Sequence, residues 1–341
     1  MKKVLVTGIS GYIGQHCAVE LLKSGYAVKG SLRSFSKSDV ISASIEGEID
    51  TQGRLEFCEL NLNDDFGWDA AMLDVDYLMH VASPFVAAEP RDENDLIKPA
   101  VLGTQRALKA AKKAGVKRVV LTSSIAAMLG DKKGFVAINS AMWTDIFAPN
   151  RSAYIKSKTL AERSAWEFIQ SQEKEGAMEM VAINPGFVFG PALSENLSGE
   201  SMRTFKEFMT GKIPVVPKIS MSISDVRDVA KIHVMALENR QASGNRYIVS
   251  TSKAYSFQEI AQVLKRNGYT KVSTKLAPNI LLKFMALFSR EIKGSLPYIG
   301  NTLSGDIGDT LNTFDWKPIA FEKTILDTAK CIEKYLTVEG N

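Results

Sequence analysis

The sequence predicts an α/β protein built on a doubly wound parallel sheet with a smaller C-terminal α+β lobe, and three observations predict it. Aliphatic runs alternate with helical patterns without a break from Val4 to Asn184. The first run leads into Gly8, Gly11 and Gly14, spaced three apart, and a helical pattern follows at once. The run over residues 116–122 is aliphatic and β-branched apart from Lys117 and Arg118, as suits a strand covered on both faces.

Each element can be justified in order. Residues 4–7 form the first strand, and the helix after Gly11 carries Val19, Leu21 and Leu22 on one face and stops at Ser24-Gly25. Residues 26–32 alternate as a second strand, and the polar stretch 34–52 forms a loop and a helix. A third strand is expected over 55–60, a short helix over 65–73 and a fourth strand over 77–82. A long helix follows over 92–114, closed by Gly115, then the strand at 116–122, a helix at 152–171 and a sixth strand at 179–184. Beyond Pro185 glycine and proline become frequent, with helical stretches near 200–209, 225–238 and 322–335. Residues 1–185 therefore read as a nucleotide-binding domain and 186–341 as a substrate lobe, with part of 225–250 returning to the main sheet.

Composition narrows the class. The 341 residues are 45% hydrophobic and 23% charged, with a net charge of +4 and no basic block, so nucleic acid is not an expected partner. Cys17, Cys58 and Cys331 are far apart and form no CxxC pair, which fits a reducing compartment without a disulfide framework. His16, His80 and His233 offer few metal ligands, and no metal is expected. His80, amid Leu78, Met79 and Val81, reads as a core histidine. Residues 1–3 lead directly into the first strand and no apolar run reaches about 18 residues, so a cytoplasmic protein without a membrane span is expected.

The glycine turn suggests chemistry. Glycine removes the Cβ that would block close approach, and free N–H groups at a helix start favour a dianion such as a pyrophosphate. The spacing is not Gly-x-Gly-x-x-Gly, and three glycines also suit a plain turn. Tyr154 and Lys158 lie four apart on one helix face, where the ammonium favours the phenolate and makes the tyrosine a usable proton donor. Ser123 and Ser124 follow the strand at 116–122, at the sheet edge where such folds bind ligands. Each pattern also occurs by chance; their order along one sheet edge joins them.

Together, Thr7-Gly8-Ile9-Ser10-Gly11-Tyr12-Ile13-Gly14, Ser123-Ser124 and Tyr154-Ile155-Lys156-Ser157-Lys158 resemble the extended short-chain dehydrogenase/reductases. The resemblance is to the dihydroflavonol reductase, cinnamoyl-CoA reductase and aldehyde or methylglyoxal reductase branch. It extends through Val81-Ala82-Ser83-Pro84, the segment from Asn184 to Pro191, Asp225-Val226-Arg227-Asp228-Val229-Ala230 and Trp316-Lys317-Pro318.

The resemblance implies hydride transfer between NADP(H) and an aldehyde or ketone. Tyr154 would be the general acid, Lys158 would lower its pKa and hold the nicotinamide ribose, and Ser124, with Ser123 as the alternative, would position the carbonyl. Gly8, Gly11, Tyr12, Ile13 and Gly14 would cradle the pyrophosphate. Arg33 stands at the end of the second strand without a carboxylate beside it, and with Lys37 close by it suits a 2′-phosphate. Asn61 and Leu62 fall where relatives carry Asp-Leu beside the adenine, and the asparagine carbonyl could accept from the exocyclic amine. Val81, Ala82 and Ser83 would line the cleft, and Pro185 to Val188 would approach the carboxamide.

Leu129 occupies the position of an asparagine that meets polyphenol hydroxyls in flavonoid reductases, so a less polar carbonyl compound is expected. The rival readings are a 3β-hydroxysteroid dehydrogenase-like or nucleotide-sugar epimerase/dehydratase enzyme on the same fold and, more remotely, a non-catalytic NADP-binding redox sensor. A sugar-nucleotide enzyme would need donors for a second pyrophosphate, and Arg203, Lys206, Lys212 and Lys218 show no recognisable arrangement. Monomer and homodimer both fit.

Overall fold

A computed structural model describes residues 1–84, 88–130, 134–149, 151–173, 176–194 and 200–338. The strands are β1 (Lys3–Thr7), β2 (Ala27–Leu32), β3 (Leu55–Glu59), β4 (Tyr77–His80), β5 (Arg118–Thr122), β6 (Phe135–Ile138), β7 (Glu179–Pro185), β8 (Phe187–Phe189), β9 (Ser220–Asp225), β10 (Arg246–Val249), β11 (Ala254–Ser256) and β12 (Thr302–Gly305). The helices are α1 (Tyr12–Lys23), α2 (Ser38–Glu46), α3 (Trp68–Ala71), α4 (Asn94–Lys113), α5 (Ala153–Gln170) and α6 (Glu200–Met209). After these come α7 (Val226–Glu238), α8 (Phe257–Arg266), α9 (Asn279–Met285), α10 (Arg290–Ser295), α11 (Gly308–Thr313) and α12 (Phe321–Val338).

The main sheet has seven strands in the order β10-β7-β5-β4-β1-β2-β3, all parallel. Its order reverses direction around β1 and β4, which opens a crevice at the carboxyl ends of those strands. The near-continuous aliphatics of β1 and β5 now have their reason. Val4 and Val6 face one apolar layer with α1 and α7, while Leu5 and Val119 face the other with α4 and α5.

A second sheet, β11-β9-β12-β6, stands beside the first, and β8 pairs with β9. The two sheets interleave along the chain. Strand β6 precedes α5 yet pairs with β12, whereas β10 comes after β9 yet joins the main sheet beside β7. Gly186 marks the crossing, since a Cβ there would lie 2.2 Å from Ser222 O.

The Asp225–Ala230 and Trp316–Pro318 motifs prove to be one clamp. Asp225 caps α7, binds Arg227 and accepts from Thr324 Oγ1 on α12 at 2.8 Å. Asp228 accepts from Trp316 Nε1 at 3.0 Å and from Ile319 N at 2.8 Å. Among the described residues no helix is long and apolar enough to cross a membrane.

Candidate active site

The site begins at the turn after β1. Gly8 has φ +69°, and a Cβ on it would sit 2.9 Å from Ala82 Cα. At Gly14 a Cβ would fall 2.3 Å from Gly8 O. These two glycines are therefore demanded by the chain's own packing, not only by an approaching ligand. Gly11 caps α1, its N–H donating to Gly8 O at 2.9 Å. What the turn leaves is the positive end of α1, where the N–H groups of Tyr12, Ile13 and Gly14 have no intrahelical acceptor. The Tyr12 side chain is committed elsewhere, its hydroxyl donating to Gly190 O at 2.8 Å. Only its backbone can serve a cofactor.

Around this turn the strand ends converge. Gly8 N donates to Ser31 Oγ at 3.1 Å, which ties the turn to β2 just ahead of Arg33. Arg33 and Lys37 are exposed, and neither forms an ion pair among the described residues. Val81, Ala82 and Ser83 follow β4 and are half-buried. Ala82 N donates to Thr7 Oγ1 at 3.1 Å, and that hydroxyl also meets His80 Nδ1 at 2.9 Å. Burial, reinforced by Lys158, pushes His80 down to about 4, so it is a neutral core histidine.

The adenine side carries a local turn, and one expectation changes, at Leu129. The Asn61 carbonyl oxygen accepts from Asn63 N at 3.0 Å, which closes a local turn and still leaves that oxygen a second lone pair. Leu62 packs on α4, where a Cβ at Gly103 would come within 3.0 Å of it. Leu129 is 3% exposed and lies in the main core, so it is a packing residue and says nothing about substrate polarity.

Helix α5 brings in the candidate catalytic pair. Ser152 caps it by accepting from Ile155 N at 3.3 Å, and Glu89 Oε1 accepts from Ala153 N at 2.8 Å. Tyr154 and Lys158 are both half-buried, and Lys158 Nζ lies 5.9 Å from the centroid of the Tyr154 ring. Burial pushes Lys158 down to about 8, with the Glu162 charge opposing that fall. Because the folded value lies below the lysine norm, the ammonium is present below about pH 8 and lost above it. If Lys158 holds the cofactor ribose as an ammonium, kcat/KM for NADPH is expected to fall as pH rises through about 8; a flat initial-rate profile would contradict that role.

The two serines separate. Ser123 is buried and donates to Glu162 Oε2 at 2.5 Å. Ser124 stays half-buried at the head of a short 3-10 turn over Ile125–Met128, its Oγ accepting from Ala126 N at 3.1 Å. Pro185, at the end of β7, is buried, and Val188 on β8 is half-buried.

Beneath these residues lies a charged hub that the motifs did not reveal. Glu162 is 1% exposed and pairs with Arg246 Nε at 2.5 Å. It also accepts from Ser123, from Trp166 Nε1 at 3.2 Å and from Asn184 Nδ2 at 2.9 Å. The Asn184 amide donates in addition to Ser124 O at 3.1 Å, so the hub fixes the main chain of Ser124. Arg246 spends its remaining donors on the Ser140 and Met142 carbonyls and stacks 3.8 Å from the Trp143 ring. One signal was available. Glu162 stands four residues after Lys158 on the face that already carried Tyr154.

A profile of the NAD dependent epimerase/dehydratase family matches residues 4–250, nearly three quarters of the chain. The chain belongs to this family. Within it, cinnamoyl-CoA reductase from Medicago truncatula is 34% identical over 268 residues, 77% of this chain and 79% of that one. The NADPH-dependent methylglyoxal reductase of Saccharomyces cerevisiae is 31% identical over 282 residues, 77% of this chain and 82% of that one. The crystal structure of the yeast methylglyoxal/isovaleraldehyde reductase with NADPH superposes with TM-score 0.77 at 28% identity, covering 98% of this chain and 99% of that one. An NAD-bound UDP-glucuronic acid 4-epimerase from Bacillus cereus, at 17% identity and TM-score 0.73, shares the fold alone.

Proposed function

We propose that this family member is an NADPH-dependent carbonyl reductase that takes aldehydes or ketones to alcohols, with Tyr154 as the general acid. The observation that carries the reading is the convergence of α1, the end of β5 and the start of α5. Between them they present free backbone donors, Ser124, Tyr154 and Lys158 at one sheet edge.

The residues present fit the cofactor. The first turn of α1 offers N–H groups to a pyrophosphate, and Arg33 offers a guanidinium without an ion pair among the described residues to a 2′-phosphate. The nicotinamide supplies the hydride when bound. The protein does the rest. Ser124 Oγ donates to the substrate carbonyl and orients it, Tyr154 Oη gives the proton to the developing alkoxide, and charged Lys158 stabilises the phenolate left behind.

Fluorescence titration of NADPH and NADH tests the cofactor half of this account. The wild type binds NADPH more tightly, and Arg33→Ala removes about 10–100-fold of that preference, the worth of a hydrogen bond to a charged group. Equal affinity of the wild type for both cofactors would remove Arg33 from the site.

A further inference from the structure

Glu89, Pro90 and Arg91, from the loop after β4, face Arg290 and Lys293 of α10 across a cavity of about 230 Å³. The cavity adjoins the candidate catalytic helix, because Glu89 also accepts from Ala153 N, one residue before Tyr154. The same loop is tied to α10 by Glu89 N, which donates to Arg290 O at 3.4 Å. Its charges do not balance. Arg91, Arg290 and Lys293 form no ion pair among the described residues, and against these three cations the lining sets one carboxylate, Glu89, whose Oε1 accepts from the helix.

Three cations and one carboxylate around one space leave a surplus of positive charge, which lowers the energy of an anion placed between them. Two of them are guanidinium forks, the geometry that grips carboxylate or phosphate oxygens in pairs. A second small cavity, walled by Phe189, Phe205, Phe208 and Phe257, is about 10 Å³ and holds no organic group.

We propose that the cavity between the loop after β4 and α10 binds an anionic group, carboxylate or phosphate, carried by the carbonyl substrate. The proposal rests on the reductase reading for the substrate's other end. It makes the preferred substrate a carbonyl compound with a negatively charged tail.

The test compares kcat/KM for benzaldehyde with 4-carboxybenzaldehyde, and for glyceraldehyde with its 3-phosphate. Each is measured in the wild type and in Arg91→Gln/Arg290→Gln, whose replaced side chains are exposed and leave the core intact. The wild type favours one charged member of a pair by about tenfold or more, and the double variant loses that ratio. Preference within the first pair identifies a carboxylate, and within the second a phosphate. Calorimetric titration with benzoate and inorganic phosphate reads the same site without turnover, and binding should vanish in the variant. If no aldehyde is reduced while anion binding still depends on the two arginines, the reductase reading fails and the anion site stands. Absence of charge preference together with absence of anion binding, or a preference that survives both substitutions, overturns the proposal.

Discussion

Tyr154→Phe is expected to cut aldehyde reduction by about 10²–10⁴-fold, the usual worth of a positioned general acid, while NADPH still binds. The substitution removes one oxygen and keeps the ring that packs against the core, so the fold should be undisturbed. Two neighbouring groups that could carry a proton are already committed. His80 is buried, pushed down to about 4 and bonded to Thr7, and Ser123 is bound to Glu162. Steady-state turnover with a parallel cofactor titration decides the matter. Turnover near the wild-type rate would take the acid role from Tyr154.

The second large effect lies in the hub. Glu162→Ala strands the buried Arg246 guanidinium and removes an acceptor from Ser123, Trp166 and Asn184. Breaking a buried pair from one side costs about 3–5 kcal/mol, measured here as a lower urea midpoint. Glu162→Met combined with Arg246→Met should cost less than Glu162→Ala alone, because no charge is left buried without a partner. A loss under about 1 kcal/mol for Glu162→Ala would mean the pair behaves as an exposed one.

Much of the fold is legible because burial on both sheet faces writes long aliphatic runs such as Val119-Val120-Leu121. The order of these runs placed Gly8, Ser124 and Tyr154 at one edge. Other features left no local trace. Strand β6 is a four-residue segment whose partner β12 lies far along the chain, so no periodicity could assign it to a second sheet. Arg246 reads as an ordinary charged residue until folding sets it against Glu162, 84 positions earlier. The glycines carry a different lesson. Gly14 looks like a ligand cradle in sequence, yet the nearest obstacle to a side chain there is Gly8 O. Ser123 and Ser124 are adjacent and chemically alike, and only the direction of β5 into Glu162 separates them.

The central claim is hydride transfer to a carbonyl carbon. It is tested most directly with NADPH deuterated at the transferable position of its nicotinamide, mixed with an aldehyde and the full-length protein. Mass spectrometry of the product should find an alcohol carrying one deuterium on the former carbonyl carbon, formed in step with cofactor oxidation. Cofactor that binds while the aldehyde returns unlabelled and unreduced would contradict the account.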